Sequence, residues 1–390
     1  MNRVVIFLMI FLFISGSFVS VFSSVSASAL IEDSWNTKTP MKQARTQLGV
    51  VAVDGKIYAI GGYTGRESLG NVADTNERYD PKTDTWITLE PMPTARGRFA
   101  IAAYENTIYC IGGSGGPVYG SFIVENEAFS VNEVYDIATY SWSTKASFPF
   151  PSMNMQAHVV DGKIYVILLR GDLYMYDPAT DVWTQKTSMP SPLDRVVVSA
   201  VVDGKIAVVY IIGTHEGMET RTKSYDPKTD VWSEKSVPAF SVFKAHEHSM
   251  GFLNGGAGVT TGVYAPQRVY ALGFMFYLNM SLSNQVYNPV EDTWAFAKDM
   301  PTRREHFGVA VIDDILYVIG GSLNEQYVPI GYRSTAYTTP TPSNSAPSEP
   351  DTSNSSEPFL NSQMIVAVLV LTVGIVVTSL FLYFNKRRRS

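Results

Sequence analysis

Residues 49–62 read Gly-Val-Val-Ala-Val-Asp-Gly-Lys-Ile-Tyr-Ala-Ile-Gly-Gly, and residues 79–86 read Tyr-Asp-Pro-Lys-Thr-Asp-Thr-Trp. An Asp-Gly pair between two short apolar runs signals a tight hairpin, so Val50 to Val53 and Ile57 to Ile60 are read as paired strands, the second closing on Gly61-Gly62. A third run ends at Tyr79-Asp80-Pro81. Lys82-Thr83-Asp84 then turns the chain into a fourth strand that carries Trp86 and stops at Met92-Pro93. One unit therefore holds four strands.

The unit recurs. A tyrosine is followed seven residues later by a tryptophan at Tyr79 and Trp86, Tyr135 and Trp142, Tyr176 and Trp183, Tyr225 and Trp232, and Tyr287 and Trp294. The remaining tryptophan, Trp35, follows Asp33-Ser34 ahead of the first full unit. The hairpin turn returns at Asp161-Gly162 and Asp203-Gly204, with Glu105-Asn106 and Asp313-Asp314 in the same slots, and the double glycine at Gly112-Gly113 and Gly320-Gly321. Self-similarity at a period of roughly 40 to 60 residues is the mark of solenoids, propellers or arrays.

These residues resemble the kelch repeat, in which a glycine pair follows the second strand and a tyrosine and tryptophan come at fixed separation. The resemblance covers roughly residues 33 to 335 and implies an all-β fold: a six-bladed β-propeller whose four-stranded blades close into a ring that leaves few free edges. Five units end at their own tryptophan. The sixth begins at Arg304 and runs through Gly320-Gly321 without one, so Trp35, on an N-terminal strand around Asp33 to Pro40, is expected to complete the last blade. The middle units depart from the pattern. Leu168-Leu169 replaces the glycine pair in the third, Ile212-Gly213 displaces it in the fourth, and Gly273-Phe274 follows an insertion from Gly251 to Ala265 in the fifth.

The flanks divide the chain further. After Arg3 an apolar run, Val4 to Ile14, leads to Ala27-Ser28-Ala29, the h-region and cleavage site of a secretory signal peptide over 1–29. The propeller is expected over 30–335. Residues 336–363 form a Ser/Thr/Pro-rich stalk too polar to build a core. Met364 to Phe384 is long and apolar enough for one transmembrane helix, and the basic tail 385–390, with Lys386-Arg387-Arg388-Arg389, is expected to stay in the cytoplasm. A charged terminus argues against a lipid-linked anchor signal. The reading is a single-pass cell-membrane protein with its propeller outside, of a prokaryotic surface type, whose C-terminal layout resembles archaeal surface proteins. Asn279-Met280-Ser281 and Asn354-Ser355-Ser356 are sequons.

Composition bounds the chemistry. The net charge of −6 argues against general affinity for nucleic acid, and 45% hydrophobic residues are ample for a core. Cys110, the single cysteine, falls in a strand where other units carry alanine or valine, so no disulfide framework is expected. The copper-radical oxidases that share kelch architecture need a tyrosine–cysteine crosslink and histidine ligands, a constellation that cannot be assigned here. No cofactor is expected.

In the propeller the resemblance implies, loops entering the first strand of each blade share a face with those joining the second and third strands. Gly113 to Asn132 and Gly213 to Thr222 are read as long loops of that face. At the start of the first strands stand Arg45, Arg96 with Arg98, Arg304 with His306, and His246 with His248. If the ring closes they converge at the channel mouth, where guanidinium and imidazole groups suit an anionic ligand. The same arginines could instead tie blades together through loop carbonyls. His246-Glu247-His248 does not make a metal site, because on a strand the histidines share one face and Glu247 takes the other. His215 is read as a solvated loop residue. The recurring tyrosines and tryptophans are read as packing residues.

Three functions follow as expectations. The first is a module that binds a protein or glycan through its loop face. The second is a carbohydrate-active enzyme resembling the kelch sialic acid mutarotases, for which Asp194, Glu247 and Glu305 are the only carboxylates near the matched positions. The third is a structural surface or adhesion component.

Overall fold

The computed structural model describes residues 33–65, 71–116, 128–190, 195–214, 217–238, 242–243, 255–273, 283–302, 304–323, 326–327 and 332–335. Strands arrange into six sheets of four or five strands, with a small two-stranded ribbon at Tyr63–Thr64 and Asn71–Val72. Numbered along the chain, blade 1 spans 49–89, blade 2 spans 100–145, blade 3 spans 156–185, blade 4 spans 195–235 and blade 5 spans 256–296. Blade 6 combines strands from 305–335 with Trp35–Thr37. The first strands are Gly49–Val53, Ala100–Tyr104, Gln156–Val160, Arg195–Val202, Gly256–Val259 and Glu305–Ile312, and each contacts the next in a cycle that returns from the sixth to the first. The ring closes as expected, because Trp35–Thr37 pairs antiparallel with Tyr332–Thr335, setting Trp35 opposite Ser334.

The seven-residue spacing has a geometric cause. Tyr79 and Trp86 lie directly opposite one another across the hairpin of third and fourth strands, as do Tyr135 and Trp142, Tyr176 and Trp183, Tyr225 and Trp232, and Tyr287 and Trp294. Ring centroids in all five pairs are 4.9–5.1 Å apart, the distance of favourable offset aromatic contacts.

Each tryptophan also reaches the preceding blade. The indole N–H of Trp86 donates to the Thr39 carbonyl, that of Trp183 to Ala146, Trp232 to Thr187, Trp294 to Ser236, Trp35 to Lys298 and Trp142 to Glu90. At five of these seams an aspartate two residues before the tryptophan accepts the backbone N–H of the same residue: Asp84 from Thr39, Asp181 from Ala146, Asp230 from Thr187, Asp292 from Ser236 and Asp33 from Lys298. Tyr79, Tyr176, Tyr225 and Tyr287 donate their hydroxyls to the same carboxylates. The repeat is thus a clasp on one residue of the neighbouring blade. At Asp181 the tyrosine bond leads in holding the carboxyl below its usual pKa, and at Asp84, Asp230 and Asp292 burial opposes the charge but the tyrosine and amide donors outweigh it.

The sixth seam is incomplete. Tyr140 occupies the aspartate position of blade 2 with φ 56°, a conformation aspartate tolerates far better than tyrosine, and the buried Tyr135 hydroxyl has no partner. Burial pushes the Tyr135 pKa up to about 12. Tyr140→Asp is expected to raise stability by about 1–2 kcal/mol, since the new acceptor outweighs the lost Tyr140–Arg78 hydrogen bond. A rise of a few degrees in melting temperature checks it.

The core lies between blades. Val50, Ile57 and Tyr79 of blade 1 cluster with Ala310, Tyr317 and Ile319 of blade 6, and comparable clusters fill the other seams. Second strands are therefore buried on both faces: Ile57, Tyr58, Ala59 and Ile60 are each at most 2% exposed. Cys110 is likewise buried on the second strand of blade 2, and burial pushes its thiol up to about 12.

Two expectations are corrected. Gly213 to Thr222 is not a loop: Lys205–Thr214 and Gly217–Asp226 form one long hairpin in which Gly213 pairs with Met218 and Val209 with Thr222. Alternation with Thr220 and Thr222, both buried, continues the strand pattern past the displaced glycine. In blade 5 the first strand is Gly256–Val259, within the stretch read as an insertion. His246, His248, His215, both sequons, and segments 1–29, 336–363, 364–384 and 385–390 fall outside the described residues. Among the described residues no helix is long and apolar enough to cross a membrane.

Candidate ligand-binding face

The segments entering the first strands gather at one end of the ring. The Gln47 N–H donates to the His306 carbonyl, the Arg98 N–H to the Gln47 carbonyl and the Asn154 N–H to the Arg98 carbonyl, a backbone belt linking blades 6, 1, 2 and 3. All four belt residues adopt the left-handed conformation, with φ of 53° at Gln47, 59° at Arg98, 55° at Asn154 and 57° at His306. The Arg98 Nε donates to Gln47 Oε1 at 2.7 Å. Arg98 also lies over the Tyr63 ring at 6.0 Å.

The three arginines that precede this belt face inward. Arg45, Arg96 and Arg304 are fully buried. Arg45 donates to the carbonyls of Gly61, Thr75 and Ala59 and to Glu77 Oε2 at 2.7 Å. Burial lowers its pKa against the opposing pull of Glu77. Arg96 donates to the Thr94 and Cys110 carbonyls and to Glu133, and Arg304 to the Gly320 carbonyl and to Thr302 Oγ1. Their backbone works in the other direction. The carbonyls of Arg45 and Arg96 accept the N–H groups of Gly321 and Gly62, in the preceding blade. Arg45 and Arg96 therefore tie adjacent blades, and of the arginines expected at the mouth only Arg98 belongs to the belt. Each buried ion pair is supported by backbone carbonyls on the other guanidinium nitrogens, although the Nε of both Arg45 and Arg96 makes no hydrogen bond.

The double glycines make this approach possible. Gly61 and Gly62 have φ of 61° and 97°, and a Cβ on either would lie 2.4 Å from the Arg96 carbonyl oxygen or 2.6 Å from that of Thr46. Gly112, Gly113, Gly320 and Gly321 also have positive φ.

Further along the channel strands the structure brings together three residues that sequence reading missed. Gln156 and His158 on blade 3 face Ser199 on blade 4: the Gln156 amide accepts from the Ser199 N–H and donates to the Val197 carbonyl, standing in for a neighbouring strand. His158 Nε2 lies 2.6 Å from Ser199 Oγ, which also bonds Gln156 Oε1 at 2.7 Å. The period-two alternation of a strand would have put Gln156 and His158 on one face, but only the ring sets them against Ser199. Burial lowers the His158 pKa to about 4. Its unfolded value, near 6.5, is higher, so stability present above that pH is lost as pH falls toward 4, by as much as about 3 kcal/mol. His158→Gln is expected to flatten that slope in melting curves between pH 4 and 6.5.

Among the described residues no group of three or more His, Cys, Asp or Glu could hold a metal ion. The Kelch motif model matches residues 44–93 and 95–149. Kelch-like protein 35 of Mus musculus is 30% identical over 180 residues, 45% of this chain and 29% of its own length. Kelch-like protein 36 of Bos taurus is 25% identical over 69% of this chain and 42% of its own, so the chain spans less than half of either relative. The Influenza virus NS1A-binding protein homolog of Mus musculus is 45% identical over 78 residues, 20% of this chain and 12% of its own. The solved structure of YjhT superposes with a TM-score of 0.57 at 12% identity, covering 75% of this chain and 95% of that one, a likeness of fold. With two matched motifs and sheets built to one clasped pattern around a closed ring, this chain is a kelch-repeat β-propeller.

Proposed function

We propose that this chain is a recognition module that binds a protein partner through the belt end of the propeller. The observation that carries it is the left-handed belt. Glycine would take that conformation without strain, yet the chain places Gln47, Arg98, Asn154 and His306 there. Backbone strain is held by blade-to-blade hydrogen bonds at this end of the ring, where Arg98 and Asn154 stay half-buried while Gln47 and His306 are buried. Arg98 supplies a cation, which favours an acidic segment of the partner. Kelch-like relatives, one of them named for binding another protein, agree with a binding role.

In this reading the propeller is carried outside a cell membrane, with 1–29 as the export signal and 364–384 as the anchor. Protease digestion of intact cells should then remove the propeller while leaving the basic tail. The binding reading is tested on an array of acidic peptides and glycans probed with the purified protein. Arg98→Ala is expected to lower acidic-peptide signals about tenfold or more while lowering the melting temperature by only a few degrees, because the backbone bonds of the belt remain. Unchanged binding by that variant, or binding confined to neutral glycans, would overturn it.

A further inference from the structure

At the end opposite the belt, five hairpins between first and second strands are two-residue turns such as Asp54-Gly55, Asp161-Gly162 and Asp203-Gly204, whereas blade 5 carries a loop from Thr260 to Arg268. Asp314, in the corresponding turn of blade 6, organises that loop. Its carboxylate accepts the backbone N–H of Thr261, Val263, Tyr264 and Ala265 and the Thr261 hydroxyl. Thr260 Oγ1 closes the base by accepting the Arg268 N–H. Asp314 itself is 1% exposed.

The cage holds apolar side chains out in solvent. Val263 is 73% exposed and Tyr264 69%, and Val290, in the turn between third and fourth strands of the same blade, is 82% exposed. Both turns lie at one end of the blade 5 sheet, because successive antiparallel strands reverse there. These are the three most exposed large apolar residues among the described ones. A loop ordered by five hydrogen bonds to one buried carboxylate, yet displaying a valine and a tyrosine, is built for contact.

We propose that this end of blade 5 rests on a lipid bilayer, with Val263, Tyr264 and Val290 entering the headgroup boundary. The occupant follows from where the chain leaves the ring. Tyr332–Thr335 is the third strand of blade 6, antiparallel to Ile315–Leu323, so it runs toward the end that carries Asp314 and delivers the chain there, one blade away from the loop. The anchor read at 364–384 begins after residues 336–363, a polar run rich in Ser, Thr and Pro. With the chain leaving the ring at this end, a few amphipathic side chains suffice for contact with a bilayer. The neighbouring acidic turns favour a zwitterionic rather than an anionic surface. The inference rests on the anchoring reading, not on the belt.

The test uses the full chain in phosphatidylcholine vesicles. Cys110 is the single cysteine and is buried, so Tyr264→Cys can be labelled selectively with an environment-sensitive fluorophore, and Tyr140→Cys, on blade 2 across the ring, serves as the reference. The expected result is blue-shifted emission quenched by spin-labelled acyl chains at position 264, with water-like emission at 140. Asp314→Ala should weaken the quenching at 264. Water-like emission at both positions, in protein that floats with the vesicles, would overturn the contact while leaving the anchor intact. Protein that does not float removes the anchor and the contact together, and equal quenching at 140 and 264 would show that blade 5 is not the contact.

Discussion

Arg45→Met is expected to destabilise the propeller by about 3–5 kcal/mol, the cost of removing one partner from a buried ion pair. Methionine keeps most of the apolar stem but leaves the Glu77 carboxylate, itself fully buried, with no cation. The carbonyls of Ala59 and Gly61 lose the Arg45 donor as well, while that of Thr75 keeps the Gly61 N–H, and each buried bond lost adds to the cost. Thermal unfolding followed by circular dichroism should show a melting temperature lower by many degrees. Adding Glu77→Gln should recover part of the loss, because the double variant no longer buries a lone charge. Were Arg45 a ligand residue at an open mouth, Arg45→Met would melt like the parent and lose only binding.

The second large effect separates two glycines of the same backbone conformation. Gly55 has φ of 66° with nothing within 4 Å of a built Cβ, whereas Gly61 has φ of 61° with the Arg96 carbonyl oxygen 2.4 Å away and a Phe99 ring carbon 2.8 Å away. Gly55→Ala therefore carries only left-handed strain, about 1 kcal/mol. Gly61→Ala adds a collision with backbone that cannot rotate aside, and about 3–5 kcal/mol in total is expected. The seam between blades 1 and 2 must open, breaking the bond from the Gly62 N–H to the Arg96 carbonyl. Paired melting curves decide it. Similar losses in the two variants would mean that conformation alone, not the close approach of neighbouring blades, requires glycine at position 61.

Both expectations bear on how arginines are read from a repeat. An arginine at the start of each first strand looks the same in one dimension whether it faces a ligand or a neighbour. Arg45 and Arg96 are followed two positions later by Gln47 and Arg98, which take the left-handed conformation and bond one another in the belt, while the first of each pair runs back along its blade to Glu77 or Glu133. The distinction depends on one dihedral angle at positions 47, 98 and 306, which residue type alone does not dictate, since glutamine, arginine and histidine all occur there.

Regular elements were legible because their causes are local. The Asp-Gly turns, the seven-residue Tyr–Trp offset and the glycine pairs each follow from hairpin geometry or from a positive φ, so four strands per unit and closure by Trp35 could be read from the order of residues. What the tertiary structure alone decided lies between units. The clasp of aspartate and tryptophan on a single residue, the meeting of His158 with Ser199 and the caging of the Thr260–Arg268 loop by Asp314 join positions from 35 residues apart, as Asp181 and Ala146, to 265 apart, as Asp33 and Lys298. A one-dimensional pattern records the period of such contacts but not which side chain meets which, because that depends on the angle at which one blade packs on the next.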